Sequence, residues 1–185
     1  MKTYIALLRG INVSAQKMIK MVALLEMFNA LKVKNAKTYI QSGNVVFQDK
    51  GSDIPALQKK IEKKIKATFG FDVPVLLLPA DILPGVLKNN PYLKKKDVDR
   101  SKLYLTFFTG DFDQKGLDKI KEGNYGTDEF IIKDNVIYLH LPNNYGTTKL
   151  NNNFFESKLK IVATTRNWKT MNELQHIAEE TSALR

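Results

Sequence analysis

The chain has 185 residues, no cysteine and a formal net charge of +10 at pH 7. This length suits one compact unit or two smaller halves. The lack of cysteine excludes a disulfide framework, a thiolate metal site and a cysteine nucleophile, and it fits a reducing compartment. No apolar run approaches the ~18 residues that a membrane span needs. The sequence therefore predicts a cytoplasmic protein with no membrane partner.

The positive charge is concentrated in the first third of the chain. Residues 1–66 hold 13 Lys and Arg against 4 Asp and Glu, whereas residues 67–185 hold 16 against 15. Because summed cations attract anions, the expected partner is a phosphate-bearing small molecule or a nucleic acid. The alternative is that five lysines only form the solvated face of a helix that buries Leu57, Ile61 and Ile65. These lysines are Lys59, Lys60, Lys63, Lys64 and Lys66.

The first half of the chain predicts the element order β-α-β-β-α-β, which is the ferredoxin-like arrangement. Its first strand is apolar on both faces, which indicates burial from two sides. Asp53 as N-cap and Pro55 in the first turn mark the start of the second helix. The predicted elements are a strand over 3–9, a helix over 21–31, a hairpin of 37–41 and 45–48, a helix from Asp53 to Gly70, and a strand over 73–78.

The second half predicts the same order, so the fold class is α+β with two ferredoxin-like halves. The expected domains are 1–80, a turn-rich connector over 81–101, and 102–185 with a C-terminal helix. The spacing Thr170-x-x-Glu173 predicts a capping box for that helix. The other elements are a strand over 103–109, a helix over 113–122, a hairpin of 129–133 and 136–141 turning at Asp134-Asn135, a helix over 148–160, and a strand over 161–165.

Four stretches carry a family resemblance: A-L-L-R-G-I-N-V, K-x-x-K-M, T-Y-I-Q-S-G-N-V-V-F and, near the C-terminus, T-T-R-N-W-x-T. With them the chain resembles an uncharacterised bacterial family, domain of unknown function 1697. That family usually has Gly-Gly where this chain has Ser14-Ala15, and Ser-Lys-Leu where it has Thr148-Lys149-Leu150. The resemblance implies two α+β halves of ferredoxin-like type and no established activity.

In a ferredoxin-like half, the end of the first strand, the start of the first helix and the hairpin corner lie at one edge. A helix N-terminus there is a ready anion site, and Lys17 and Lys20 beside it are unfavourable unless an anion comes between. The alternative is that Arg9 pairs with a carboxylate of the other half and the loop only covers the core. The expected ligand-binding residues are Arg9, Asn12, Lys17, Lys20, Gln41, Ser42 and Asn44.

A second candidate cluster is Arg166, Asn167 and Trp168, which is predicted to end the last strand and precede the capped helix. Arg166 would lie where the helix dipole favours an anion, and Trp168 could stack on a base. The alternative for Trp168 is a core anchor. Lys149, at the start of the preceding helix, is a third candidate.

The sequence predicts no cofactor and no metal site, because it holds no metal-ligand cluster, phosphate-binding loop or dinucleotide motif. His140 and His176 are interpreted as structural, since spacing ties no carboxylate or serine to either. Base stacking on the sheet is disfavoured, because the central strands offer only Tyr4 and Phe47. The predicted function is binding of a nucleotide or nucleic acid through the basic edge of the N-terminal half. The alternative is an enzyme, of unknown reaction, that holds a small anionic substrate with Arg9 and Arg166.

Overall fold

The computed structural model describes residues 1–13, 15–51 and 53–184. The protein is α+β, with two four-stranded antiparallel sheets. The elements of the first sheet and its helices are β1 (Lys2–Leu8), α1 (Met21–Ala30), β2 (Lys34–Tyr39), β3 (Asn44–Asp49), α2 (Ile54–Phe69) and β4 (Val75–Pro79). After α3 (Leu83–Lys88) come β5 (Leu103–Thr109), α4 (Gln114–Lys121), β6 (Glu129–Lys133), β7 (Val136–His140), α5 (Asn152–Leu159), β8 (Val162–Asn167) and α6 (Trp168–Ala183).

The first sheet has the strand order β2-β3-β1-β4. Residues 4–8 of the central strand β1 are all buried, which confirms the expectation of a strand apolar on both faces. One face carries Tyr4 and Phe47, which pack with Phe28 of α1; the Phe28 and Phe47 ring centroids lie 5.3 Å apart. Leu24 and Met27 on α1 complete this contact. The buried residues of α1 therefore lie on the face that meets the sheet.

The ends of α2 follow the predicted signals. The Asp53 side chain accepts a hydrogen bond from the Ala56 N–H at 3.0 Å, so it caps the helix as expected. Gly70 ends the helix in the left-handed conformation, with φ of 83°. The buried face of α2 is Leu57, Ile61 and Ile65, and the lysines of this helix lie outside it.

The second sheet has the equivalent strand order, β6-β7-β5-β8. The predicted hairpin is confirmed: Lys133 pairs with Val136 across the turn, and the register continues to Glu129 opposite His140. An aromatic cluster that includes Phe130, Phe154 and Phe155 packs within this unit, with the Phe130 and Phe155 centroids 6.0 Å apart.

Several predicted boundaries are wrong. β2 begins at Lys34, three residues before the predicted start, and ends at Tyr39, so residues 40 and 41 belong to the turn and not to the strand. α5 begins after Asn151, whose side chain accepts from the Phe154 N–H at 3.0 Å; residue 148 precedes the helix. β8 runs on through Asn167, which accepts from the Thr170 N–H at 2.8 Å. Asn167 therefore caps α6 and Thr170 lies inside it, so the predicted capping box does not form.

The chain divides into two compact units. The first consists of Met1–Gly85 with Glu173–Arg185, and the second of Val86–Asn172. The sequence analysis places the C-terminal helix in the second half, whereas most of α6 belongs to the first unit. The reason lies in its contacts there: Gln48 Nε2 donates to Thr181 O at 3.0 Å, and Lys37 Nζ lies 3.1 Å from Glu180 Oε2.

Candidate functional site

The side chain of Asn12 bridges the two ends of the loop between β1 and α1. Its Nδ2 donates to Ile19 O at 2.9 Å, and its Oδ1 accepts from the Ile19 N–H at 2.8 Å. The same Nδ2 donates to Gln41 O at 2.8 Å, in the turn between β2 and β3. One amide side chain thus closes the loop on itself and ties it to the hairpin turn.

Backbone and lysine contacts complete this edge of the first unit. The Leu8 N–H donates to Gly43 O and the Arg9 N–H to Pro74 O, both at 2.8 Å. Lys17 Nζ donates to Asp72 O at 2.6 Å. The loop, the start of α1 and the hairpin turn therefore meet as the sequence predicts, and they are joined by the segment before β4. We call residues 9–13, 15–23 and 40–43 together the basic edge.

The backbone of the basic edge is strained. Asn12, Ala15, Lys17 and Ile40 have positive φ, at 55°, 58°, 46° and 49°. Left-handed backbone costs on the order of 1–2 kcal/mol for residues with a Cβ, and least for Asn. Gly43 is required in the turn, because its φ is +77° and a Cβ there would lie 2.6 Å from Ile11 Cδ1. Such conformations persist where the surrounding contacts enforce them, and they cluster at functional sites.

The N-terminal end of α1 opens onto this edge. Lys20 holds the N-cap position and makes no capping hydrogen bond with its side chain, and the first turn carries no acidic residue. The first helical bond runs from the Leu24 N–H to Lys20 O at 3.0 Å. The amides of residues 21–23 precede that bond and point out of the helix end, where the helix dipole adds partial positive charge.

All charged side chains of the basic edge are positive. Its sequence contains Arg9, Lys17 and Lys20 and no Asp or Glu. Asp72, whose carbonyl holds Lys17, has its carboxylate 3.0 Å from Lys66 Nζ. Because an ammonium has three donors, the bond to Asp72 occupies only one of those on Lys17.

The predicted residues of this edge differ in exposure. Lys17, Lys20 and Gln41 are exposed, whereas Arg9, Asn12 and Ser42 are half-buried. Asn44 is fully buried, and its Nδ2 donates to Tyr39 O at 2.9 Å and to Ser42 Oγ at 3.0 Å. Asn44 therefore shapes the turn from inside, and the surface that a ligand would meet is formed by the exposed residues.

The second predicted cluster is divided between strand, cap and helix. Arg166 lies within β8 opposite Leu105 and is buried; its Nη1 donates to Thr164 Oγ1 and to Thr165 O, both at 2.9 Å. Asn167 caps α6, and Trp168 is the half-buried first residue of that helix. Lys149 is exposed beside a polar cavity of about 570 Å³ that Asn124, Thr127 and Asn143 also line.

A titratable cluster that sequence reasoning missed lies in the second unit. Glu129 Oε1 is 2.5 Å from Lys95 Nζ and 3.2 Å from His140 Nδ1. The hydrogen bond from Lys95, followed by that from His140, holds the pKa of Glu129 below its ordinary value. The His140 ring also packs on Tyr92, with centroids 5.6 Å apart, and burial raises the pKa of the Tyr92 hydroxyl.

Tyr4 and Phe47, the aromatics considered for base stacking, are both buried, with ring centroids 5.9 Å apart.

Within residues 1–13, 15–51 and 53–184, no three His, Asp or Glu side chains are grouped to hold a metal ion. The same described ranges contain no helix with the length and apolar character needed to cross a membrane.

Comparison with known proteins agrees with the family resemblance. The model of a family described as "Protein of unknown function (DUF1697)" matches residues 1–138. The chain is also similar to a solved structure, the conserved bacterial protein SP0830 from Streptococcus pneumoniae, at 21% identity. That match has a TM-score of 0.75 and covers 96% of this chain and 98% of the other, so it supports the fold. No curated protein matches the chain.

Proposed function

Because the chain belongs to this family of unknown function, which supplies no activity, we propose from the geometry that it binds a phosphate-bearing ligand at the basic edge. The observation that carries the proposal is the set of Asn12 hydrogen bonds that ties the loop carrying Lys17 and Lys20 to the hairpin turn, with Lys20 at the N-cap of α1. Phosphate is a ligand that both a helix N-terminus and lysine ammonium groups bind.

An anion bound between the lysines and the helix would make the placement of these lysines electrostatically favourable. A cation near a helix N-terminus is unfavourable by a few tenths of a kcal/mol or more. Here Lys20 holds the N-cap, Lys17 lies three residues before it in the chain, and the edge contains no carboxylate to offset them. A bound phosphate would reverse the sign of each of these interactions. It would accept from the amides of residues 21–23 and from the ammonium donors at the same time.

The proposal includes a cytoplasmic location and a ferredoxin-like fold for each unit. The fold name rests on the order β-α-β-β-α-β and on two sheets that follow the same strand order with antiparallel neighbours. Nucleotide and nucleic acid remain the two ligand forms, and phosphate contacts dominate in either. The enzyme alternative has weaker support, because the Arg166 guanidinium is buried and hydrogen-bonded to Thr164 and Thr165.

The test compares two double variants with the same change in net charge. Lys17→Gln/Lys20→Gln alters the basic edge, and Lys59→Gln/Lys63→Gln alters exposed lysines of α2. Binding of a fluorescent oligonucleotide is measured by anisotropy from 20 to 300 mM salt, roughly the range over which phosphate contacts weaken. Thermal shift with nucleoside triphosphates and inorganic polyphosphate covers the small anions.

We expect the edge variant to lose at least tenfold in affinity, and the slope of log affinity against log salt to fall by about 2. The α2 variant should retain near-normal affinity. Equal losses in both variants would assign binding to overall charge, and the absence of binding to any of these anions at low salt would refute the proposal.

A further inference from the structure

The basic edge carries exposed apolar side chains as well as lysines. Val13, Met18, Val22 and Ile40 have relative exposures of 59%, 63%, 71% and 47%. Single exposed apolar residues are normal on protein surfaces, but several together mark a site for a protein or a membrane.

The contacts of Asn12 bring the backbone positions of three of them together. Asn12 is hydrogen-bonded to Ile19 and Gln41. Val13 follows Asn12 in the chain, Met18 precedes Ile19, and Ile40 precedes Gln41. Val22 lies in the first turn of α1, three residues after Ile19. The four residues therefore lie next to this hydrogen-bonded centre or within one helical turn of it in the chain, and we call their side chains the apolar patch.

A partner for this surface must accept both apolar side chains and cations. A free nucleotide or a nucleic-acid backbone satisfies Lys17 and Lys20 but leaves the aliphatic groups in water. A second copy of the chain would bring the same lysines into a contact with no carboxylate, which like charges oppose. An anionic lipid surface supplies headgroup phosphates for the lysines and an acyl boundary for the aliphatic groups.

We propose that the basic edge docks on an anionic membrane surface, with Lys17 and Lys20 at the lipid phosphates and the apolar patch in the acyl boundary. This inference rests on the proposed function and commits its phosphate to a lipid headgroup. Lysine stems can cover apolar surface while the ammonium stays at headgroup level. The sequence prediction of no membrane partner considers only spanning segments, and peripheral docking needs none.

The hydrogen bonds of Asn12 suit this role. They hold the backbone at Asn12 and Ile19, the residues next to Val13 and Met18. Docking therefore need not fix these two positions, and that ordering would otherwise reduce affinity. The cytoplasmic leaflet carries the anionic lipids of the membrane, which agrees with the cytoplasmic location proposed above.

Co-sedimentation of the full chain with vesicles tests the inference. One vesicle preparation contains only phosphatidylcholine, and the other contains phosphatidylcholine with phosphatidylglycerol at a ratio of roughly 7 to 3, a strongly anionic surface. We expect a partition coefficient about 25-fold higher on the anionic vesicles, since each of two lysines contributes about fivefold. Lys17→Gln/Lys20→Gln should abolish most of that difference.

The apolar arm tests the acyl boundary. Met18→Ser/Val22→Ser should lower the partition coefficient on the anionic vesicles about tenfold or more. The matched control, Ile131→Ser/Val162→Ser, changes two exposed apolar residues of the second unit and should leave the partition coefficient unchanged. Circular dichroism confirms that each variant is folded.

Other outcomes would contradict the inference. If the wild type bound oligonucleotide but not vesicles, the lipid inference would be overturned and the proposed function would stand. If the wild type bound neither oligonucleotide nor vesicles, the lipid inference and the proposed function would both be overturned. Equal effects of the Met18/Val22 variant and its control on vesicles would assign binding to general hydrophobicity. A concentration-dependent dimer in sedimentation velocity that the Met18/Val22 variant removes would assign the patch to a second copy of the chain.

Discussion

Asn12 holds the basic edge together, and replacing it separates the contribution of its side chain from that of its backbone. Asn12→Gly removes three hydrogen bonds, at 2.8, 2.8 and 2.9 Å, while glycine tolerates the φ of 55°. Each bond contributes about 0.5–1.5 kcal/mol net. Because one of the three is exposed, we expect a loss of about 2 kcal/mol in the free energy of unfolding.

Asn12→Ala removes the same bonds and also places an alanine Cβ in the left-handed region. We therefore expect about 1 kcal/mol more destabilisation than for Asn12→Gly, a total of about 3 kcal/mol. For a chain of this size, 1 kcal/mol shifts the thermal midpoint by about 2–4 °C. The Gly and Ala variants should then melt about 4–8 °C and 6–12 °C below the wild type.

The assay is urea unfolding followed by circular dichroism, with thermal melting as a second measure. Anion affinity should fall in both variants although Asn12 is only half-exposed, since Lys17 then samples conformations that do not bind. If Asn12→Gly were as stable as the wild type, the loop would not depend on this side chain. The argument for a preorganised edge would then fail.

Two further predictions concern the second unit. Arg166→Ala should destabilise the protein by about 3 kcal/mol, because it leaves a buried oxygen of Thr164 and a partly buried oxygen of Thr165 without the Arg166 donor. Urea unfolding measures this loss, and a value below about 1 kcal/mol would contradict a structural role for Arg166. Glu129→Gln should lower stability at pH 7 by less than about 1 kcal/mol, since the pair with Lys95 is 43% exposed on each side. The folded pKa of Glu129 is depressed, so its contribution is present above the unfolded value of about 4.3 and is lost as the pH falls below it. The stabilities of the wild type and the variant should therefore converge as the pH falls through the folded pKa of Glu129; a difference that persists at lower pH would indicate a contribution other than charge.

The hairpin of the first unit shows what a sequence pattern cannot reveal. Residues 37–41 are rich in residues typical of strands, so the pattern extends the strand to Gln41. In the structure Ile40 has a φ of 49°, a conformation that a β-branched residue rarely adopts. Two side-chain contacts hold this turn: Asn12 Nδ2 on Gln41 O, from the loop before α1, and Asn44 Nδ2 on Tyr39 O, from the first residue of β3. The bond from Asn12 joins residues that are distant in the sequence, so no local pattern contains it.

The start of α6 was mispredicted for a different reason, a competition between two caps. Both Asn167 and Thr170 are good N-cap residues, and Thr170 has Glu173 at the capping-box spacing. Asn167 accepts from the Thr170 N–H, which makes residue 170 the third residue of the helix and no longer its cap. The sequence contains both signals, and only the length of β8, set by its pairing with β5, selects between them.

The Glu129 and His140 contact, by contrast, was derivable. The sequence predicts a hairpin turning at Asp134-Asn135, and in a two-residue turn Lys133 must pair with Val136. Counting back along both strands then places Glu129 directly opposite His140, which is the register observed. Opposed residues have Cβ atoms about 4.5–5.5 Å apart, close enough for a carboxylate to reach an imidazole. Strand register places His140 beside Glu129. For residues in a sheet, the pairing of strands predicts contacts, and the number of residues between them along the chain does not.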